Sequence, residues 1–226
     1  MGGPGGRPWQ PCPVPRRPLV LASASPARLG LLRTAGFAPE IMVSGVIEDG
    51  VDGLDASSTA SELARRKADA VAARLLAHED NEREAIGHGD RPLVVGCDSV
   101  LAFAGDVRGK PASAEQAVDW WRGYRGGRGT LVTGHTVVDV DADRRATATD
   151  RTVVRFGRPT DAEIDAYVAT GEPLQVAGGF TLDGYGAPFV DGIDGGHGTV
   201  LGLSLPVLRA LLAELDVAIT DLWAAL

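Results

Sequence analysis

The sequence predicts an α/β protein with a mixed central sheet flanked by helices. Three observations predict it. Strand-like apolar runs alternate with helical patterns along the chain, as in layered α/β architectures. One run, PLVVGCDSVLAF at 92–103, is apolar almost throughout, as in a strand covered on both faces. Two long strand patterns, 129–142 and 146–156, follow each other directly in the middle of the chain, which mixes the strand directions.

The elements follow in order. Residues 1–18, MGGPGGRPWQPCPVPRRP, are rich in proline and glycine and hold no apolar segment of signal-peptide length. They read as a disordered extension, and 19–226 as one domain. LVLA at 19–22 is a strand. It stops at SASP and becomes a helix over 26–35, with Leu29, Leu31, Leu32 and Ala35 at helical spacing. Ser25 caps that helix and Pro26 suits its first position. EIMVSGV at 40–46 reads as a second strand and EDGVDGLDASS at 48–58 as a loop. The long helix 59–76 opens on a capping box of Thr59 and Glu62, with Leu63, Val71 and Leu75 on its apolar face. The polar stretch 78–91 is an exposed insertion. The 92–103 strand is expected to break at Gly96 and Asp98. Helices follow at 113–124, started by Ser113 and Gln116, and at 160–171, started by Thr160 and Glu163. A glycine-rich run covers 178–198, and a helix over 204–215 closes the pattern.

The totals narrow the function. The chain carries a net charge of −8 with an isoelectric point near 5.0, the opposite of a protein that wraps a polyanion. Any anionic ligand must meet a local cluster of positive charge, and no nucleic-acid partner is expected. Two cysteines, Cys12 and Cys97, give neither a disulfide framework nor a metal site, which fits a reducing, cytoplasmic setting. No window approaches the roughly 18 apolar residues of a membrane span. The sequence lacks HExxH, GxSxG and GxxxxGK[ST], and its glycine-rich run lacks the strand–GxGxxG–helix setting. Zinc hydrolysis, the acyl-transfer elbow, the P-loop and the dinucleotide fold are therefore unsupported. His78 and His88 fall in the polar insertion, His135 in a strand and His197 in the glycine-rich run.

Four features carry chemistry. The turn SASPAR, 23–28, has a plain reading as a helix cap and a sharper one as a phosphate site built of helix-start amides, hydroxyls and Arg28. Asp98 lies inside an apolar run, where a carboxylate needs a partner or ligand unless the strand end meets solvent. Of 22 basic residues only Lys67 and Lys110 are lysines, which marks them as places that want a compact ammonium, or as chance retentions. Glu48 follows a strand directly; alone, it reads as a solvated loop carboxylate.

In order, the segments are SASPAR, SGVIED, ELARRKA, VVGCDSV, GKP, LVTGHTVV, TVVRF, EIDAYVATGEPLQVAGGF and GTVLGLSLPVLRALL. This series resembles the Maf family of nucleotide pyrophosphatases, from Leu19 to Leu212. The resemblance implies two lobes around a deep cleft, similar in shape to inosine triphosphate pyrophosphatases. It implies hydrolysis of nucleoside triphosphates to the monophosphate and pyrophosphate, with a divalent metal, Mg²⁺ or Mn²⁺, activating the attacking water. Ser23, Ser25 and Arg28 fall on the phosphate-binding loop, and Lys67 and Lys110 on the two family lysines. Glu48 falls on the acidic position after the second strand and Asp98 on the residue proposed as proton acceptor. Both are hard oxygen ligands suited to the metal, and the sequence leaves open which binds it and which takes the proton. Family members often pair as homodimers and have been linked to septum formation. A non-catalytic nucleotide-binding regulator of cell division is therefore the competing reading, and an enzyme for purines of the inosine triphosphate type another.

The match departs from the family pattern in places. Ala27 stands where arginine is common, Ile47 precedes Glu48 where aspartate is usual, and Gly196 replaces a common aspartate. The positions that separate family branches by base are Ala27, Ser99 and Asp183 here. Branches favouring dTTP and UTP carry arginine, threonine and glutamine there; a branch favouring 7-methylated GTP carries a bulky residue, glutamine and glutamate. The mixture here implies a non-standard or broadened base preference. A carboxylate at 183 accepts from base N–H groups and rejects a base edge showing only acceptors.

Overall fold

A computed structural model describes residues 17–77 and 92–224. The expected insertion at 78–91 and residues 1–16 of the expected extension lie outside them. The last two residues of that extension are tied to the sheet. Arg17 pairs with Asp139 at 2.7 Å, and the Pro18 carbonyl accepts from the Leu93 amide at 2.9 Å.

The chain order is β1 (Leu19–Leu21), α1 (Pro26–Thr34), β2 (Glu40–Ile41), α2 (Ala56–Ala77), β3 (Leu93–Phe103) and β4 (Asp106–Arg108). It continues with α3 (Ala114–Tyr124), β5 (Arg128–Asp139), β6 (Arg144–Phe156), α4 (Asp161–Ala169), β7 (Val190–Asp194), α5 (His197–Val200) and α6 (Leu205–Glu214). The strands form a 7-stranded sheet in the order β2-β1-β3-β5-β6-β7, with β4 beside β3. β1 is parallel to β2 and β3, and the remaining pairs are antiparallel, so the sheet is mixed.

Several local expectations change. The strand expected at 40–46 shrinks to Glu40–Ile41, and the apolar residues beyond it form a loop. β3 runs unbroken through Gly96 and Asp98. α2 begins before Thr59, because the Asp55 carboxylate accepts from the Ser57 and Ser58 amides at 2.8 and 2.9 Å and caps the first turn. Thr59 is buried within the helix, and Glu62 turns to Arg65 and Arg66 instead of back to a cap. The box at Thr160 and Glu163 forms as read, with both reciprocal bonds present. β4 was not expected; it closes a hairpin through Ala104 and Gly105, both at positive φ, the signature of a tight primed turn. The glycine-rich run holds β7 and α5.

The long strands β3, β5 and β6 pass through two packed regions. At one end Leu93, Val95, Cys97, Val137 and Ala146 pack with Leu32 of α1 and Leu208, Leu211 and Leu212 of α6. At the other end Leu101, Leu131, Val154 and Phe156 meet Trp121, Tyr124, Tyr167 and Phe180. There Tyr124 stacks on Phe156 at 4.5 Å, while Trp121 donates to the Gly179 carbonyl at 2.8 Å and Tyr124 to the Gly178 carbonyl at 3.0 Å. The opposite sheet face is covered by α2. A cleft of roughly 1560 Å³ is lined by Trp120, Leu131, Phe180 and Val200 of the second region and by Ala22 and Val100 from the face that α2 covers.

His135 adds a pH dependence to this fold. It is fully buried on β5, and its Nε2 accepts from the Ser204 amide at 2.8 Å, which requires the neutral ring. Burial, then the charge of Arg28, lowers its pKa from 6.5 to about 4. A lowered folded value contributes stability that is complete above pH 6.5 and is lost as pH falls toward 4, by up to about 3 kcal/mol. The gap in unfolding free energy between wild type and His135→Gln is therefore expected to shrink by about that amount between pH 7 and pH 4, measured by urea unfolding. A constant gap would take His135 out of the acid response.

Candidate active site

The first turn of α1 builds one wall. Ser25 accepts from the Arg28 amide at 3.4 Å and Pro26 follows at the first helical position, so the capping reading of SASPAR holds. The same turn leaves helix-start amides, Ser23 and Arg28 on the cleft. Arg28 is 9% exposed, and its guanidinium donates to the Gly202 carbonyl at 2.8 Å, Ser23 Oγ at 3.1 Å and Ser99 Oγ at 3.2 Å. All three acceptors are neutral. Among the described residues no carboxylate forms an ion pair with Arg28. A buried cation whose direct partners are all neutral is a strong attractor for an anion.

Gly202 fits that wall for a steric reason. Its φ is +96°, and a Cβ there would sit 2.9 Å from Arg28 Nε.

Opposite this wall, α2 presents Lys67. Its ammonium donates to Glu48 at 2.6 Å and to Asp98. Glu48 arrives on the loop after β2, which Arg66 and Arg74 hold through the Asp49 and Val43 carbonyls at 2.7 and 2.8 Å. Asp98 arrives from the middle of β3 and is 6% exposed. One ammonium thus joins two carboxylates whose pKa values move apart. Burial pushes Asp98 above the usual aspartate range, against the opposing charges of Lys67 and Arg28. For Glu48, burial is outweighed by the Lys67 hydrogen bond and by the charges of Lys67, Lys110 and Arg28, so its pKa falls. Lys110 is exposed at the cleft rim and forms no ion pair among the described residues.

The ten residues singled out from sequence, Ser23, Ser25, Ala27, Arg28, Glu48, Lys67, Asp98, Ser99, Lys110 and Asp183, all line this cleft. Asp183 is exposed, on a turn that Glu172 holds through Thr181 Oγ1 at 2.5 Å and the Tyr185 and Gly186 amides at 3.0 and 3.2 Å. Cys97 is excluded as a nucleophile, since burial raises its thiol to about 11. Sequence reading missed Arg108, whose guanidinium lies over Phe103 at 5.0 Å and over Trp120 and Tyr124 at 5.2 Å, on the cleft wall. Thr133, fully buried on β5 beside the Ser99 hydroxyl, was not singled out either.

Among the described residues no group of three or more histidine, cysteine, aspartate or glutamate side chains could hold a metal. The chain offers two hard oxygen ligands, Glu48 and Asp98, around a shared cation. That donor set fits a magnesium-like ion completed by substrate phosphates rather than a dedicated protein cage. Among the described residues no helix is long and apolar enough to cross a membrane.

Comparison with known proteins now bears on this cleft. A family profile described as Maf-like protein matches residues 18–215. A nucleoside triphosphate pyrophosphatase of Streptomyces coelicolor is 58% identical over 94% of this chain and 97% of its own length. The protein of that name from Streptomyces avermitilis is 56% identical over 92% and 96%, and the one from Nostoc punctiforme 41% over 91% and 98%. With the profile spanning nearly all of the described residues and the relatives covered almost end to end, the chain belongs to the Maf-like family.

Proposed function

We propose that this protein hydrolyses nucleoside triphosphates to the monophosphate and pyrophosphate. The observation that carries the reading is one cleft that holds both a buried arginine, without an ion-pair partner among the described residues, and a buried aspartate of raised pKa. The names of the Streptomyces relatives support the same chemistry.

Phosphoryl transfer needs positioning and charge neutralisation more than covalent help. The α1 amides, Ser23 and Arg28 bind phosphate oxygens, and Lys67 and Lys110 meet the triphosphate from the other side. Asp98 accepts the proton of the water that attacks the α-phosphorus. The bond from that phosphorus to the bridging oxygen breaks, and pyrophosphate leaves with its negative charge matched by the cations. Mg²⁺ or Mn²⁺, held by Glu48 and Asp98 together with the substrate, would add charge neutralisation and make the water more acidic. Asp183, an acceptor at the cleft rim, can take the single N3–H of thymine and uracil but also the amino groups of adenine, cytosine and guanine, so it broadens the preference beyond dTTP and UTP. The cytoplasmic setting and pairing into homodimers remain part of the same proposal.

The test is pyrophosphate release from a panel of canonical and modified nucleoside triphosphates with Mg²⁺ or Mn²⁺, run beside Asp98→Asn. Release that disappears in the folded variant is the expected result, and the panel ranks the bases. Strong exclusive preference for dTTP and UTP would overturn the Asp183 assignment. Nucleotide binding with no release from any substrate would replace the enzyme with a regulator.

A further inference from the structure

We infer that Thr133 is a positioning residue for the Arg28 guanidinium, acting through the Ser99 hydroxyl. The inference rests on the phosphate-binding reading of Arg28 and states what fixes the direction of its donors.

Thr133 is fully buried on β5, directly across from Ser99 of β3 in the ladder. Its Oγ1 lies 2.8 Å from the Thr199 carbonyl and 2.8 Å from Ser99 Oγ. A carbonyl only accepts, so the single Thr133 proton goes to Thr199. The bond between the two hydroxyls then has one possible donor, Ser99. With its own proton committed to Thr133, Ser99 meets Arg28 Nη2 at 3.2 Å as an acceptor. The result is a one-way chain from Arg28 to Ser99 to Thr133 to the Thr199 carbonyl.

The far end of the chain is anchored. Thr199 Oγ1 donates to the Asp150 carboxylate at 2.6 Å. The same turn ends at Gly202, whose carbonyl takes Arg28 Nε at 2.8 Å. One turn therefore fixes two edges of the guanidinium, one directly and one through two hydroxyls. Two consequences follow. The remaining donors of Arg28 are aimed before any phosphate arrives, and Ser99 has no proton to offer a substrate base. Toward a ligand Ser99 is an acceptor, as Asp183 is, so the two together suit a base edge carrying N–H groups.

Inorganic tripolyphosphate, which has no base, reads the phosphate site alone. Calorimetric titration into wild type, Arg28→Lys, Thr133→Val and Thr133→Ser tests the chain. Thr133→Val keeps the shape and removes the hydroxyl; it is expected to weaken binding about tenfold, the scale of one misdirected charge-assisted hydrogen bond. Thr133→Ser restores the hydroxyl and is expected to bind within about twofold of wild type, a rescue that a purely structural role for the threonine methyl would not give. Ser99→Ala cuts the same chain at a less buried position, is expected to lose a similar factor, and serves if Thr133→Val does not fold. Arg28→Lys weakened while Thr133→Val and Ser99→Ala bind as wild type would overturn the positioning role alone. Wild type that ignores tripolyphosphate, or Arg28→Lys that binds it equally well, would overturn the phosphate reading and the positioning role with it.

Discussion

Lys67→Ala is expected to lower turnover by roughly 100-fold or more, the scale of losing one preorganised charge contact of about 3 kcal/mol. The substitution acts twice. It removes an ammonium that neutralises the triphosphate. It also removes the shared partner of Glu48 and Asp98, leaving two carboxylates facing each other. Burial already raises the Asp98 pKa, and losing Lys67 raises it further. More Asp98 is then protonated at neutral pH and cannot accept the proton of the attacking water. Lys67→Arg should not restore the rate, because a planar fork cannot replace a compact ammonium between two carboxylates. Lys110→Ala is the companion variant. Lys110 is exposed and has no ion-pair partner among the described residues, so its loss should lower turnover while leaving the thermal midpoint unchanged. Steady-state pyrophosphate release with a parallel melt measures both. Near-normal turnover in both variants would remove the lysines from the chemistry.

How much of this was legible beforehand depends on what kind of signal each residue leaves. Asp98 and the two lysines were visible because each is out of place, a carboxylate in an apolar run and lysines in an arginine-rich chain. The alternation of strands and helices was visible because apolar periodicity is local. The errors are non-local. Val43 looks like a strand residue, yet it lies beyond β2 and is 52% exposed, because the chain leaves the sheet after Ile41 to carry Glu48 to Lys67. Thr59 and Glu62 have the spacing of a capping box, but the Asp55 carboxylate reaches the helix-start amides first. Gly96 and Asp98 look like breaks in β3. In the fold each faces α2, one leaving room for its backbone and the other pairing with its lysine. Thr133 left no signal, since a threonine is ordinary in a strand and its role exists only through Ser99 and Thr199.

The room that Gly96 leaves has a counterpart at Gly134, opposite Asp98 in the ladder, and Gly134→Ala carries the second large expected effect. A Cβ on Gly134 would lie 2.2 Å from the Ala60 carbonyl oxygen and 2.7 Å from the Ser61 nitrogen. One on Gly96 would lie 2.4 Å from the Ala64 oxygen and 2.8 Å from the Ala68 nitrogen. These neighbours are helix backbone, so no side chain can swing away and α2 itself must move. Overpacking of this kind costs about 3 kcal/mol, at the upper end of its usual range. The consequence reaches the chemistry, because Lys67 adjoins Ala68 on the displaced helix and must still meet Asp98. Gly134→Ala is therefore expected to lower both the urea midpoint and the turnover of whatever fraction stays folded. Gly30→Ala is the control. That glycine lies within α1, nothing is within 4 Å of its added Cβ, and alanine there should be neutral or stabilising by up to about 1 kcal/mol. Equal stability of the two variants would mean that α2 does not sit on the sheet through these glycines. Lost stability with unchanged turnover in the folded fraction would mean that Lys67 finds Asp98 without the close approach, and that the helix is held at this distance for packing alone.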